Sequence, residues 1–235
     1  MINMVVDTSA GEIAIGLFDG KKLLAEKHLK AEQKYNKILA DAISGILKET
    51  KLNFSNIDVF AASAGPGSFT GIRVGMATMK GFAQALSKKF YSVSTLDIMA
   101  WAAIKRGTKG IVFPIMDARR GELYTAEYEI KGEMAKRVSD YIMTTEQVLE
   151  KKIPKRAAVC IMENETDLFK LFSKNETIAV VKLKENDMSV FNEIVLYNSA
   201  DLKNENIYNM EPLYIRKSEA EVTLINKTIN ARKGK

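Results

Sequence analysis

The side chains best suited to holding an anion lie in two short stretches, Asp7-Thr8-Ser9 and Gly65-Pro66-Gly67-Ser68-Phe69-Thr70-Gly71-Ile72-Arg73-Val74-Gly75. In the second, Gly65 and Gly67 permit backbone angles closed to other residues, and Pro66 stiffens the turn between them. Ser68 and Thr70 are N-cap residues whose hydroxyls can accept from unpaired helix amides. The chemistry this allows is capture of a phosphate or carboxylate at a helix N-terminus. A P-loop is excluded, because Ile72 and Arg73 follow Gly71 where Lys and Ser or Thr are needed. A dinucleotide fingerprint is excluded too, because its last two glycines are two residues apart, whereas Phe69 and its neighbours lengthen the gap from Gly67 to Gly71. The plain alternative is a sharp strand-to-helix corner. In Asp7-Thr8-Ser9, Asp7 can hold Mg²⁺ through water while the hydroxyls meet an anion, or Asp7 and Ser9 simply close a turn.

Other chemistry is thin. His28 is the only histidine and Cys160 the only cysteine, too few for a zinc site. A Ser-His-Asp or Cys-His hydrolase would need His28 as its base, but a partly exposed strand histidine is the commoner case. Cys160, between Val159 and Ile161, reads as a small buried hydrophobe. Arg119 and Arg120 can clamp an anion or pair with Asp117 and Glu122, and pairing is preferred. Tyr214 and Arg216 read as packing and capping residues.

These residues need a framework. The 235 residues, 46% hydrophobic, suffice for a sizeable core, in one large or two small units. The net charge of +6 is moderate and scattered, apart from a basic tail after Arg216, read as a solvated end. The N-terminus meets Asp7 at once, unlike a signal peptide or a transmembrane span. A lone cysteine fits a reducing cytoplasm.

Short apolar runs predict strands over 2–7, 12–18 and 21–30, with Asp19-Gly20 as the hairpin turn. Tyr35, Ile38, Leu39, Ala42, Ile43, Ile46 and Leu47 recur at helical spacing on one face. A strand over 57–64, a nearly all-apolar helix over 72–86, a strand over 90–93 and a helix to 105 follow. The order β-β-β-α-β-α predicts a mixed sheet with helices on its faces. Arg106-Gly107-Thr108-Lys109-Gly110 is the candidate boundary between subdomains 1–105 and 106–235. The second half predicts strands over 110–116, 122–130, 157–162 and 178–181, helices over 145–152, 166–172 and 188–197, a loop over 198–209 and an extended segment over 211–215.

The second helix is apolar almost all round, with the small residues Gly71, Gly75, Thr78 and Ala85 near one face and Ala77 and Gly81 beside it. Small residues let another helix approach closely. Tyr35, Ile38, Leu39, Ala42 and Ile46 of the first helix, with Gly71, Gly75, Thr78, Phe82 and Ala85 of the second, form a candidate partner surface. The alternative is that both faces are used internally.

The stretch from Gly65 to Gly75, with Asp7-Thr8-Ser9 before it, 117–124 (DARRGELY) after it and 212–221 (PLYIRKSEAE) near the end, resembles the TsaB (YeaZ) family. The resemblance implies an actin-like, sugar-kinase-like (ribonuclease H-like) α/β fold of mixed sheets with helices on both faces. It implies a non-catalytic subunit in formation of threonylcarbamoyladenosine beside the anticodon of tRNA. The implied partners are a TsaD-type protein as heterodimer, a TsaE-type ATPase, a second copy when the chain is alone, and tRNA at the level of the complex. Neither a cofactor, a metal nor a membrane is implied. The sister TsaD family carries an H-x-x-x-H metal pair, and Thr95 and Met99 stand at those positions here. The chain departs from TsaB in having Lys30-Ala31-Glu32 where a histidine usually precedes the glutamate. The rival reading is a degenerate actin-like ATP-binding enzyme, an ATPase or kinase, with Asp7 as its metal carboxylate and Thr8, Ser9, Gly65, Gly67 and Ser68 around a nucleotide. An older glycoprotease reading would require His28.

Overall fold

Successive side chains of a strand point to opposite faces, and in β1 (Ile2–Asp7) both faces are apolar. Met4 and Val6 enter one core and Val5 another, so β1 lies between two layers of helices. The computed structural model describes residues 1–30, 35–184, 187–200 and 207–216. With β2 (Glu12–Asp19), β3 (Lys22–Lys30), β4 (Val59–Gly65) and β5 (Lys89–Ser94), β1 forms a sheet in the order β3-β2-β1-β4-β5. The first three strands are antiparallel neighbours, whereas β1, β4 and β5 run parallel.

Helices α1 (Tyr35–Thr50) and α2 (Phe69–Ala85) cover the outer face of this sheet. On the inner face lie α3 (Thr95–Lys105) and α6 (Met188–Ala200), which also meet the second sheet. That sheet orders β10 (Ile142–Thr145), β7 (Glu122–Thr125), β6 (Gly110–Arg119), β11 (Ala158–Met162) and β12 (Ala179–Leu183). A side branch, β8 (Tyr128–Lys131) and β9 (Met134–Arg137), pairs onto β6. Its outer face is closed by α4 (Glu146–Lys152) and α5 (Thr166–Phe172), through Leu149 and Phe172. Helices on both sides of mixed sheets are the architecture expected.

The C-terminal part returns to the first sheet. Buried Asn192 on α6 accepts from Asn3 Nδ2 at 2.9 Å and donates to the Gly20 carbonyl at 2.8 Å. Leu213 N donates to Ala64 O at 2.7 Å, beyond the end of the sheet proper.

Several expectations change in detail. The strand predicted over 122–130 breaks into β7 and β8 at Ala126-Glu127, because β7 pairs the far end of β6 and β8 its beginning. β9 and β10 lie between the strand predicted over 122–130 and the helix predicted over 145–152, where no element was predicted, and Thr145 ends β10 rather than opening the helix. The expected loop over 198–209 begins inside α6, and Ile207–Asn209 is a 3₁₀ turn. The helix expected to start at 72 starts at Phe69, because Ser68 Oγ accepts from Gly71 N at 3.2 Å and caps it. Thr70 then sits inside the helix. Ala31, Glu32, residues 217–221 of the closing motif and the basic tail lie outside the described residues. Among the described residues no helix is long and apolar enough to cross a membrane.

Candidate functional site

Strands β1, β4 and β5 all end at the mouth of one cleft of about 1170 Å³ between the two sheets. Asp7 and Ser9 stand on one side with the Gly67-Ser68-Phe69 turn. Asp117, Arg119 and Tyr124 face them from the second sheet, Glu165 from the turn before α5, and residues 213–216 run along the rim. The two stretches proposed to hold an anion are thus brought together. Ser68 N donates to Ser9 O at 2.7 Å, and a β-carbon on Gly67 would lie 2.3 Å from that same oxygen. Gly67 adopts φ +153° and Gly65 φ +93°, which explains glycine at both. The bond between Gly65 and Pro66 is cis.

Their polar groups are largely engaged with one another. Asp7, buried, accepts at Oδ1 from Ser9 N (2.8 Å) and Ser9 Oγ (2.7 Å), so the turn-closing reading of these residues holds. Thr8 points away from the cleft: its hydroxyl donates to Gly71 O at 2.8 Å, and its amide to Ser63 Oγ at 3.3 Å. Sequence reasoning assigned the cleft no role for Thr95, which lines it at the head of α3. Thr95 is 1% exposed, and its hydroxyl has no hydrogen-bond partner among the described residues. Only the long-range pairing of β4 with β5 brings it there, and no local pattern signals that.

The rim is held by a clasp. Arg73 lies 3.8 Å over the Phe69 ring and 5.4 Å from that of Tyr214, and its Nε donates to Tyr214 Oη at 2.8 Å. Phe69 and Tyr214 are 40% and 46% exposed, so Tyr214 does more than fill a core. Arg216 pairs with Glu122 and donates to Arg119 O, while Arg119 pairs with Asp117 at 3.6 Å. Pairing is therefore the role of Arg119, as preferred, but Glu122 takes Arg216. Beneath α3, Asp97 accepts from the hydroxyls of Tyr128 and Tyr141. Burial pushes its carboxyl above the ordinary range, against those donors and the Arg137 charge.

The outer face of α1 and α2 is the second candidate. Leu39, Ala42, Ile46, Gly71 and Gly75 turn inward and are buried in the chain's own core. Tyr35, Ile38, Thr78 and Phe82 are half-buried, and Ala85 is exposed with Ala77 and Gly81. Phe82 stacks on Phe54, ring centres 4.6 Å apart. The reading of Gly71 and Gly75 as a groove for a partner helix is corrected. A β-carbon on Gly71 would lie 2.1 Å from Thr8 O, so the first-strand turn already fills that space.

Elsewhere, His28 sits on β3 at the surface, against Glu26. Burial pushes the Cys160 thiol up to about 12, in keeping with a core residue. Among the described residues no three His, Cys, Asp or Glu side chains gather closely enough to hold a metal ion.

Residues 29–223 match the family model described as TsaD: tRNA N6-adenosine threonylcarbamoyltransferase. The tRNA threonylcarbamoyladenosine biosynthesis protein TsaB of Bacillus subtilis is 29% identical over 138 residues, 59% of each chain. TsaB of Escherichia coli is 31% identical over 126 residues, 54% of each chain. The chain thus spans little more than half the length of the curated relatives it matches. Crystal structures of YeaZ and of a YeaZ-like protein, both from Pseudomonas aeruginosa, superpose with TM-scores of 0.74 and 0.75 at 17% and 18% identity. They cover 91% and 92% of this chain and essentially all of their own, which establishes a shared fold.

Proposed function

The chain belongs to the family described as TsaD, tRNA N6-adenosine threonylcarbamoyltransferase, and within it to the TsaB (YeaZ) proteins; from that premise we propose that it is a non-catalytic partner subunit of a TsaD-type protein. It works in threonylcarbamoyladenosine formation in the cytoplasm, beside a TsaE-type ATPase, with tRNA recruited by the whole complex. When alone it pairs with a second copy through the same surface.

The observation that carries this reading is the outer face of α2. Ala77, Gly81 and Ala85 are exposed at helical spacing, with Val74 and Thr78 half-buried between them. A solvated helix face is ordinarily charged, whereas this one is small and apolar from Val74 to Ala85 apart from Lys80 and Gln84. Such a face accepts a partner helix at close range. Tyr35 and Ile38 on α1 extend it.

Gly81 offers a clean test, because a β-carbon there meets nothing within 4 Å. Gly81→Glu leaves the isolated chain folded, and replacing a mid-helix glycine favours the helix by up to about 1 kcal/mol. Co-purification with a TsaD-type protein, and reconstituted tRNA modification, should both be lost in this variant. Undiminished pairing with unchanged modification would remove α2 as the contact.

A further inference from the structure

We propose that the basic pole of the second sheet, built from Lys109, Lys151, Lys152, Lys155, Arg156 and Lys174, docks the phosphodiester backbone of a folded RNA. The choice of ligand rests on the tRNA-modification reading above. The surface itself is separate from the cleft and from the outer face of α2.

The topology gathers these residues. Ala158 at the start of β11 pairs in parallel with Val112 near the start of β6 and with Ala179 at the start of β12. The segments entering the three strands therefore emerge at one pole: Lys109 before β6, Lys155 and Arg156 before β11, and the turn carrying Lys174 before β12. Lys151 and Lys152 close α4, which leads into the same place. The cleft lies at the opposite ends of β6 and β11, where Met116 and Met162 line it.

The backbone fixes this display. Arg156 N donates to Thr177 O at 3.3 Å and Ala179 N to Ala157 O at 3.2 Å, tying the turn before β11 to the turn before β12. Buried Ile153 anchors the first turn and buried Ile178 the second. Arg156 takes φ +70°, in the left-handed region, where a β-carbon carries a steric cost. Among the described residues no acid pairs with it to offset that cost.

All six cations are exposed, and among the described residues none of them makes an ion pair. By contrast Lys170, one turn before Lys174, pairs with Asp167 at 3.8 Å. The flanking acids Glu133, Glu150 and Glu176 are half as many, so the charge that reads as scattered along the chain has a local surplus here. Lysines at the end of a helix favour its dipole, which accounts for Lys151, Lys152 and Lys174. It does not account for Lys109, Lys155 or Arg156, which end no helix.

The composition of the pole selects the partner. A protein interface has an apolar centre with its charges at the rim, and a membrane-surface helix inserts an apolar face. On the elements meeting here, the exposed large apolar side chains among the described residues are Val148 of α4 and Met134 of β9. Unpaired cations with neither an apolar centre nor an exposed aromatic ring suit a phosphate backbone, held without reading its bases.

Fluorescence anisotropy of the full chain with a labelled transfer-RNA transcript, and with a short RNA duplex of unrelated sequence, tests the surface across a potassium chloride series. Both should bind, with Kd rising as salt rises. The combined variant Lys151→Gln, Lys152→Gln, Lys155→Gln, Arg156→Gln should raise Kd about tenfold or more and lower the salt slope by about three. The combination Lys21→Gln, Lys22→Gln, Lys48→Gln, Lys51→Gln makes the same charge change on exposed residues of the first sheet and α1, and should alter Kd less than about threefold. Lys109→Gln with Lys174→Gln should raise Kd about threefold or more, and decides if the first variant fails to fold. Gly81→Glu keeps the two readings apart: it should lose the TsaD-type partner and keep RNA affinity, whereas the 151–156 variant keeps the partner and loses RNA. Absent binding, a Kd unmoved by the pole variants, or a Kd raised equally by the first-sheet variant would each overturn the pole, whatever Gly81→Glu shows. Tighter binding to polyglutamate or to phosphatidylserine vesicles than to RNA would also overturn it, and assign an acidic protein or a membrane instead.

Discussion

A β-carbon built on Gly75 would lie 2.4 Å from Thr8 Oγ1, so the first strand's turn is seated against a notch in α2 that only glycine leaves open. The same hydroxyl donates to Gly71 O, one helical turn earlier. This contact joins β1 to α2 and thereby aligns the Asp7-Thr8-Ser9 turn with the Gly65–Ser68 turn at the cleft.

Gly75→Ala should therefore destabilise the chain by about 1–3 kcal/mol, the usual cost of overpacking, even though alanine favours a helix by up to about 1 kcal/mol. In a Thr8→Ala background the obstruction is gone, and Gly75→Ala should become nearly neutral. Urea unfolding of the four chains of this cycle gives the coupling. Additive effects would show that Thr8 does not fill the notch.

The Arg73 clasp holds the returning segment 210–216 against α2. Lysine cannot replace a guanidinium laid flat over Phe69 while donating to Tyr214. Arg73→Lys should loosen the segment by about 0.5–1 kcal/mol, seen as a two- to fivefold faster exchange of the Leu213 amide, which bonds to Ala64 O. Unchanged exchange at Leu213, with the global melt also unchanged, would mean the segment is held by other contacts.

Much of this frame is legible in the chain before folding, and the boundary is physical. Asp19-Gly20 marks the hairpin, and the period of Tyr35 to Leu47 marks α1, because both are local signals. β9, of sequence Met-Ala-Lys-Arg, and β10, of sequence Ile-Met-Thr-Thr, carry no buried alternation; β9 exists through a hairpin with its neighbour β8, and β10 through pairing with β7, farther back in the chain. The two halves of the cleft turn were readable as anion-holding candidates, but not that Ser9 would donate to Asp7 and Thr8 to Gly71 O. Small residues in a helix announce close approach without naming what approaches. At Gly71 and Gly75 it is Thr8, and at Gly81 the space stays open. Thr95 and Tyr214 join the site only through contacts made far along the chain.

Cys160 lies on β11 with its thiol pushed up to about 12 by burial. A folded chain should hence resist Ellman's reagent near pH 8, since the thiolate is the attacking form. Labelling should speed up with urea in step with the unfolded fraction. Rapid labelling of the native chain would place the thiol at a surface.

Asp97 is the acid whose titration should be felt by the fold. Its carboxyl sits at the third position of α3 with two phenols donating to it, and burial, the largest influence, raises its folded pKa above the unfolded one. A carboxyl of that kind holds its proton more readily when folded. The stability linked to it is greatest at low pH, where both states are protonated, and is lost as pH rises from the ordinary carboxyl range through the folded value. Asp97→Asn keeps an acceptor for Tyr128 and does not titrate. Comparing the two chains cancels the other acids, so the stability of the unaltered chain relative to Asp97→Asn should fall between about pH 4 and about pH 8. Urea unfolding at both values measures it. A difference that is flat with pH, or that grows in favour of aspartate, would show that the phenols and Arg137 outweigh burial and hold the carboxylate ionised.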